Sequence, residues 1–344
     1  MDGSVRRGAM RSGGWLCMLA LALPLFLLAA SLYGPAPISL HDAWRILSAP
    51  GAASAEDGSE IYQRIIWSLR MPRALLAAVA GAGLALAGTV LQSLTRNPLA
   101  DPWVLGISSG AGVGAVLVLV LGLGGGLLSV SGGAFIGAAG AFALVLLLAG
   151  RSLNAESSLF ILAGVAVTQL LSALTSLITL WQADANATRG VMFWLLGSFS
   201  DARWSQVGLC ALLLAAALAV CWMKAGELDA LAFGGLTAAS LGVAVAPLKL
   251  LLYGITMALT AVIVAFSGAV GFIGLTVPHV ARLLVGPRHR LLLPASALCG
   301  ALFAVAADTL ARTLFEPREL PVGVLTALLG VPVFLALLYR KINA

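Results

Sequence analysis

Charged residues are scarce in this sequence. Only 10% of its 344 residues are Asp, Glu, Lys or Arg, while 60% are hydrophobic, and soluble domains carry about 25% charged residues. The mean hydropathy is +1.03. A water-soluble fold of this length has too little interior to hide so much apolar surface. The composition therefore excludes a soluble protein and predicts a chain that uses lipid as its solvent.

Cysteine is equally rare. The four cysteines are Cys17, Cys210, Cys221 and Cys299; all lie in apolar segments, and no two have the spacing of metal ligands. We interpret them as small buried hydrophobic residues. The sequence thus predicts neither a disulfide framework nor a metal site.

The sequence also lacks the motifs of an enzyme. It contains no phosphate-binding loop of the Gly-x-x-x-x-Gly-Lys-Ser/Thr type. The glycine-rich run Gly110–Gly114 lies in an apolar stretch with no strand before it, which favours close helix packing over nucleotide binding. We expect no bound cofactor, so any ATP that drives this protein is used by a partner subunit.

Polar clusters are missing from the apolar segments. No segment centre collects Asp, Glu, Lys or His side chains, which argues against a proton-driven carrier and against an intramembrane enzyme. The formal net charge is +6, but the basic residues are spread over short loops and form no stripe with aromatic residues. Nucleic acid is therefore not an expected partner.

Apolar runs long enough to cross a membrane, about 20 residues, recur along the whole chain. They predict an all-α polytopic membrane protein that forms a single transmembrane domain over residues 1–344. The span at 271–285 is short and contains Pro278, so a broken or half-crossing helix is expected there. The ten predicted spans are 15–33, 71–93, 103–121, 127–149, 157–181, 204–223, 245–266, 271–285, 292–312 and 321–339.

The distribution of Lys and Arg sets the expected orientation. With the N-terminal tail, residues 1–14, in the cytoplasm, 12 basic residues fall inside and 8 outside, which accounts for all 20. Cytoplasmic loops carry the excess of positive charge, so both termini are expected to be cytoplasmic. The longest outer loop is then 34–70, and loop 224–243 is cytoplasmic. We expect a multi-pass protein of a bacterial inner membrane, in contact with its lipids.

Two stretches of the chain are weakly similar to each other. Leu84–Gly88 leads to Asn97 and Pro98, and Val264–Gly268 leads to Pro278 and the residue after it. The two begin on spans of opposite direction. Inverted repeats of this kind are common in transport proteins, so a weak inverted repeat is expected.

Three segments carry a resemblance to a known family. Arg96–Pro102 with Leu105–Gly112, then Gly271–Arg282, and finally Glu319–Val324 with Gly330–Phe334 resemble, in this order, the signatures of the FecCD/BtuC-like permeases. These are the membrane subunits of ABC importers for iron siderophores, haem or cobalamin. The resemblance runs from about residue 60 to the C-terminus. It implies a type II ABC importer permease fold of about ten transmembrane helices.

The resemblance also implies partners and a cargo. The chain is expected to form a homodimer that works with a cytoplasmic ATP-binding subunit and with a periplasmic or lipid-anchored substrate-binding protein. A ferric siderophore is the first expected cargo, followed by haem and cobalamin. A stand-alone secondary transporter remains the alternative.

Single residues take expected roles from this resemblance. The family-motif positions are Asn97, Pro98, Asp101, Pro102, Gly106, Pro278, His279 and Arg282. Pro98 is expected to stop one helix and Asn97 to cap the next. Two roles are open for His279: a hydrogen-bonded side chain at a helix end, or a side chain that contacts the substrate directly.

Two further sets of residues are expected to meet partner proteins. The residues expected to contact the ATP-binding subunit are Leu231, Phe233, Gly234, Gly235, Thr237, Ala238, Leu241 and Gly242. Gly235 stands where the family usually has an acidic residue, and a plain surface loop is the alternative for this segment. Arg70, Arg73 and Arg312 are expected to pair with carboxylates of the binding protein, with snorkelling to lipid headgroups as the alternative.

A last pair of residues is expected to lie at a cytoplasmic gate. Ser157 and Ser158 resemble the small hydroxyl residues that line the constriction in related permeases. Small hydroxyl side chains let two helices approach closely. Helix capping is the alternative, because Ser is favoured at a helix start.

Overall fold

The computed structural model describes residues 2–34, 38–39, 41, 44–46, 59–149, 157–182, 184–316 and 318–342. Throughout this part of the chain the regular structure is helical and no strand occurs. The expected all-α class is therefore confirmed. Much of the predicted outer loop 34–70 lies outside the described residues.

Fourteen α-helices follow one another in the described chain. They are α1 (Asp2–Leu32), α2 (Ser59–Arg64), α3 (Met71–Thr95), α4 (Ile107–Leu121), α5 (Val130–Ala149), α6 (Ser157–Gln182), α7 (Ala185–Leu196), α8 (Trp204–Met223), α9 (Ala225–Ala232), α10 (Gly235–Ser240), α11 (Val245–Ser267), α12 (Ile273–Val285), α13 (His289–Thr313) and α14 (Val322–Ile342). A π-helical turn, Ile65–Arg70, joins α2 to α3, and a 3-10 turn, Pro102–Leu105, precedes α4.

Ten of these helices match the ten predicted spans. Seven are long and apolar enough to cross a membrane, and three shorter apolar helices, within α4, α12 and α14, complete the set. Two helical features were missed. The helix of the second span begins near Glu60 rather than at residue 71, and α7 stands where a loop was expected. Both segments mix apolar with polar residues, so a hydropathy criterion reads them as loops.

Helix α3 occupies the centre of the bundle. The apolar window of α3 is 89% buried, against 17% for those of α1 and α6. Helices α8, α11, α12 and α13 all pack against α3. The peripheral helices therefore leave most of their apolar surface to lipid or to another protein.

Glycines allow α3 and α13 to touch backbone to backbone. A Cβ atom on Gly81 would collide with the carbonyl oxygen of Gly300, and a Cβ on Gly300 would collide with that of Gly81. Small residues at such crossings are typical of membrane helices, because close approach maximises van der Waals contact. No larger residue fits at either position without moving one helix.

The same device joins α4 to α5. A Cβ on Gly114 would collide with the carbonyl oxygen of Gly133, and one on Gly110 would lie 2.5 Å from that of Gly137. The glycine-rich run Gly110–Gly114 thus serves helix packing, as predicted.

Helix α12 is too short to span the bilayer. Its 13 residues cover about 20 Å, less than the about 30 Å of a hydrocarbon core, as expected for a half-crossing helix. Non-helical backbone at residues 268–272 connects α11 to it. Backbone groups outside helices are hydrogen-bonded to one another here. Ser198 N–H donates to Ser267 O at 2.8 Å, and Val322 N–H donates to Gly197 O at 3.0 Å.

The α4–α5 contact can be tested with two glycines of α5. Gly137→Ala places a Cβ against Gly110, whereas a Cβ at Gly140 meets nothing within 4 Å. We expect Gly137→Ala to lower the free energy of unfolding by about 1–3 kcal/mol. Gly140→Ala should leave stability unchanged or raise it by up to about 1 kcal/mol. Thermal unfolding in detergent measures both, and equal behaviour of the two variants would contradict the close packing.

Candidate functional site

Polar and charged side chains collect at both ends of the bundle. One end, here called the arginine end, carries Arg70, Arg73 and Arg312. The other, the loop end, carries the short helices α9 and α10. Helices α3 and α13 reach both ends, because each has 25 residues and so spans about 37 Å.

A buried ion pair links α3 to α13 at the arginine end. Arg73 donates from Nε to both carboxylate oxygens of Asp308, at 3.0 and 3.1 Å. Arg312 lies one turn beyond Asp308, with its Nε 3.7 Å from Oδ2. Asp308 is 1% exposed. Buried charges need such pairing, because removing one partner leaves the other uncompensated.

The other groups of this cluster reach α1 and the solvent. Arg70 donates to the carbonyl oxygens of Ser31 and Leu32, both at 2.9 Å, and Arg312 donates to that of Ala30. Glu319 accepts from Arg73 Nη1 at 2.9 Å, and its side chain is 37% exposed. An open cavity of about 340 Å³ lies above the cluster. It is lined by Ile65, Leu69, Arg70, Arg73, Ser200, Arg312 and Glu319.

The structure brings the three predicted docking arginines together. All three are buried within the single chain, so in this conformation they hold internal carbonyl and carboxylate groups rather than extending to headgroups. Docking to a binding protein stays a prediction. The internal acids Asp308 and Glu319 were not anticipated from the sequence.

At the loop end, α9 and α10 form a small platform. Phe233 is 77% exposed and Leu236 91% exposed, and Thr237, Leu241 and Gly242 are exposed as well. A groove of about 550 Å³ beside them is also lined by Arg96 and Lys249. The residues predicted to contact the ATP-binding subunit divide here. Leu231, Gly234 and Ala238 are buried, Gly235 is half-buried, and Phe233, Thr237, Leu241 and Gly242 face outward.

The most exposed apolar side chain of this platform was not among the predicted contacts. Leu236 belongs to α10, and its exposure depends on how that short helix is rotated. Ala238 lies on the opposite face and is fully buried. An acidic residue at Ala238 would disturb the fold itself, so Leu236 is the better probe of this surface.

The first two of the three family-motif segments meet at the start of α12. Asp101 accepts from the backbone N–H of Trp103 at 2.9 Å and from that of Leu275. A carboxylate at a helix N-terminus satisfies N–H groups that the helix itself leaves unbonded. Gln92 donates to Gly274 O and Leu275 O, each at 3.2 Å. The first and second motifs, far apart in sequence, therefore form one junction.

Arg282 completes this junction. Its Nη1 donates to Gln92 Oε1 at 2.7 Å, so the second motif holds the end of α3 as well. Pro278 lies inside α12 and is buried. Burial raises the pKa of Asp101 to about 6, against the two backbone hydrogen bonds that lower it.

Asn97 does not cap the next helical element. Its Oδ1 accepts from Leu99 N–H at 2.9 Å in a local turn, and Asp101 caps the 3-10 turn at Pro102 instead. The expectation for Asn97 was wrong because the chain makes one more turn before becoming helical. The related prediction for Pro98 agrees with the structure, since the preceding helix ends at Thr95, before Pro98.

Three further predicted residues can be placed. Gly106 adopts φ +85°, a left-handed conformation that favours glycine, at the start of α4. His279 Nδ1 lies 3.2 Å from Leu275 O, one turn back in α12, and its ring meets Phe334 edge-on at 6.2 Å. Contact of His279 with substrate stays a prediction.

The gate prediction falls mostly outside the described residues. Helix α6 begins at Ser157, but the side chains of Ser157 and Ser158 lie outside the part that the structure describes. Their assignment to a gate or to a helix cap therefore stays a prediction.

The chain is similar to known transport proteins. The model of the FecCD transport family matches residues 21–340. The cobalamin import system permease of Halobacterium salinarum is 38% identical over 99% of this chain and 100% of its own length. The hemin transport system permease of Yersinia pestis is 42% identical over 80% and 84%.

A solved structure agrees with these sequence matches. An inward-facing metal-chelate type ABC transporter superposes with a TM-score of 0.83 at 33% identity, covering 94% of this chain and 98% of that one. The predicted type II ABC importer permease fold is confirmed by this likeness.

The raised pKa of Asp101 predicts a pH effect on stability. The folded chain holds the Asp101 proton more tightly than the unfolded chain, where the pKa is near 3.8. This contribution to stability is therefore present at low pH and is lost as the pH rises to about 6. We expect the melting temperature of Asp101→Asn, relative to the unchanged protein, to rise between pH about 5 and about 7.5. An offset that is the same at both pH values would contradict this account.

Proposed function

We propose that this chain, which belongs to the FecCD transport family of ABC importer permeases, forms the membrane pathway through which a bulky metal chelate enters the cell. The observation that carries this proposal is the apolar platform at the loop end. Exposed Phe233, Leu236 and Leu241 stand on two short helices outside the bundle. Such a patch marks a protein contact, and an ATP-binding subunit is the partner that the family implies.

The orientation follows from the same assignment. If the platform meets an ATP-binding subunit, the loop end lies in the cytoplasm. α1 begins there, since Ser12 Oγ donates to Val285 O of α12. α14 starts near the arginine end, where Leu320 N–H donates to Ala311 O, and its 21 residues lead to the loop end. The excess of basic residues falls on the same side. Both termini are then cytoplasmic in a bacterial inner membrane, and the arginine end faces outward.

The cargo is best described as a metal chelate. Of the relatives compared above, one is named for cobalamin and the other for hemin. Both are metal–tetrapyrrole chelates, so we place haem and cobalamin before the ferric siderophore that the sequence put first.

A second copy of this chain completes the pathway. Helix α6 presents Gln169, Ser172 and Ser176 on its exposed side, near the middle of an apolar span. Polar side chains at mid-membrane face protein or a water-filled path rather than lipid. We propose that this side of α6 faces a second copy. The mass of the purified complex tests this, because a single permease copy per complex would contradict it.

The arginine end is the proposed dock for a substrate-binding protein. Arg73 and Arg312 border the open cavity there, and Glu319 occupies one side of Arg73. A carboxylate of the binding protein would replace Glu319 on Arg73, since Arg binds carboxylates through a planar fork. Glu319 therefore competes with the incoming protein.

Removing this competitor should strengthen docking. We expect Glu319→Gln to tighten capture of the loaded binding protein by up to about fivefold, because exposed ion pairs are worth about 1 kcal/mol or less. The gain should shrink at high salt. Glu60→Gln, which removes an exposed acid from α2, is the matched control. Equal affinities for both variants at low salt would show that Arg73 does not dock this partner.

Uptake into proteoliposomes tests the proposed function. The chain, reconstituted with an ATP-binding subunit and a binding protein, should import labelled cobalamin, haem or a ferric siderophore only when ATP is supplied. Leu236→Asp should reduce ATP-driven uptake about tenfold or more, because a charge then has to be buried at the contact. Leu127→Asp, at a side chain that is 98% exposed at the other end, should have little effect.

The same experiment separates the alternative. Uptake that needs an ion gradient and proceeds without any ATP-binding subunit would overturn the proposal in favour of a secondary transporter. Uptake that is indifferent to Leu236→Asp would remove the platform from the contact.

A further inference from the structure

We infer that Asp229, His289 and Ser93 form a joint that fastens the loop 224–243 to α3 and α13. The inference rests on the proposed function, because it assigns this joint the task of passing movement from the ATP-binding subunit to the bundle. The three residues come from α9, α13 and α3, and neither the family motifs nor the predicted contacts include them.

Asp229 caps α13 from outside that helix. Its Oδ1 accepts from the backbone N–H of His289 at 3.0 Å and lies 2.6 Å from Nδ1 of the same residue. Arg288, the residue before α13, makes no side-chain capping bond. A carboxylate of the loop thus takes over the capping task, which also favours its negative charge at the helix N-terminus.

His289 carries the connection on to α3. Its side chain is buried, with 4% of the residue exposed, and Nε2 lies 2.6 Å from Ser93 Oγ. A carboxylate offers only acceptors, so Nδ1 must hold a proton toward Asp229. Both ring nitrogens are therefore engaged, and the imidazole is fixed between the loop and α3.

The first turn of α13 is also held by α8. Pro294 has no N–H, so the carbonyl of Arg290 loses its helical partner. Trp222, two residues before the loop, donates to that carbonyl from Nε1 at 3.1 Å. Asp229 and Trp222 lie on either side of the junction between α8 and α9, and both form hydrogen bonds with the first turn of α13.

At the arginine end, α3 and α13 are linked by a second buried contact. Arg73 of α3 pairs with Asp308 of α13 at 3.0 Å, and Gly81 meets Gly300 between the two ends. The two helices are thus linked near both ends and at their crossing. A displacement of the loop that moves His289 therefore moves this pair of helices as one body, up to the arginine end.

A catalytic reading of the same three residues fails on their surroundings. Ser, His and Asp in succession resemble a nucleophile, its base and an orienting acid. Here Ser93 Oγ has a second partner, the carbonyl oxygen of Thr89 at 2.9 Å, and the His289 residue is only 4% exposed. Mechanical connection is the reading that the geometry supports.

Amide hydrogen exchange on the chain alone, in nanodiscs, tests whether the joint exists. Asp229→Ala removes the acceptor of two hydrogen bonds, and we expect exchange in α9 and in the first turn of α13 to quicken on the order of tenfold or more. Glu227→Ala is the control, since Glu227 of the same helix pairs with Lys224 at the surface. Unchanged exchange in Asp229→Ala overturns the joint, whether or not the chain transports anything.

The ratio of stimulated to basal ATP hydrolysis in the complete complex tests its role. A merely structural loss lowers both rates together and leaves the ratio unchanged. We expect Asp229→Ala and His289→Ala to lower the ratio about 2- to 30-fold, Ser93→Ala to lower it less, and Asp229→Asn, which keeps an acceptor, to restore part of it. A normal ratio in Asp229→Ala overturns the inference. If the complex of the wild-type chain shows no stimulation of ATP hydrolysis, the proposed function is contradicted instead. The hydrogen-exchange experiment then tests by itself whether the joint exists.

Discussion

The backbone contact between α3 and α13 at Gly81 and Gly300 is the constraint on which the rest of the molecule depends. It places the most buried helix of the bundle directly against the helix that carries Asp308 at one end and His289 at the other. At this separation Arg73 reaches Asp308 and Ser93 reaches His289. Without water in the membrane to drive apolar association, close packing and buried polar contacts supply much of the cohesion.

The two ends of the bundle then acquire different characters. At one end, three buried arginines lie beside an open cavity together with the acids Asp308 and Glu319. At the other, apolar side chains stand exposed on α9 and α10, where a partner protein can cover them. The family assignment implies an ATP-binding subunit and a substrate-binding protein as partners, and our proposal places the binding protein at the first of these surfaces and the ATP-binding subunit at the second. The structure adds that both surfaces contact the same pair of helices, α3 and α13, which is the basis of the coupling that we infer between them.

Much of this fold was predictable, because lipid imposes its rules on sequence. Each crossing needs about 20 apolar residues, so hydropathy located all ten spans, and the motif run Arg96–Pro102 led to the right family. Helix α7 was missed because its segment mixes apolar with polar residues, which a hydropathy criterion assigns to a loop. Asn97 was given the role of Asp101, since either side chain can cap and only the backbone path decides. Arg73–Asp308 and Asp229–His289 left no signal, because 235 and 60 residues separate the partners.

The central claim is that α3 and α13 move as one body during transport. Spin labels at exposed positions 96 and 290 report the distance between the two helices at the loop end, and labels at 69 and 310 report it at the arginine end. These distances should be measured in the complete complex without nucleotide and again with ATP bound. The account predicts that both distances stay the same in the two states. A change in either distance, in a complex that still transports, would contradict it.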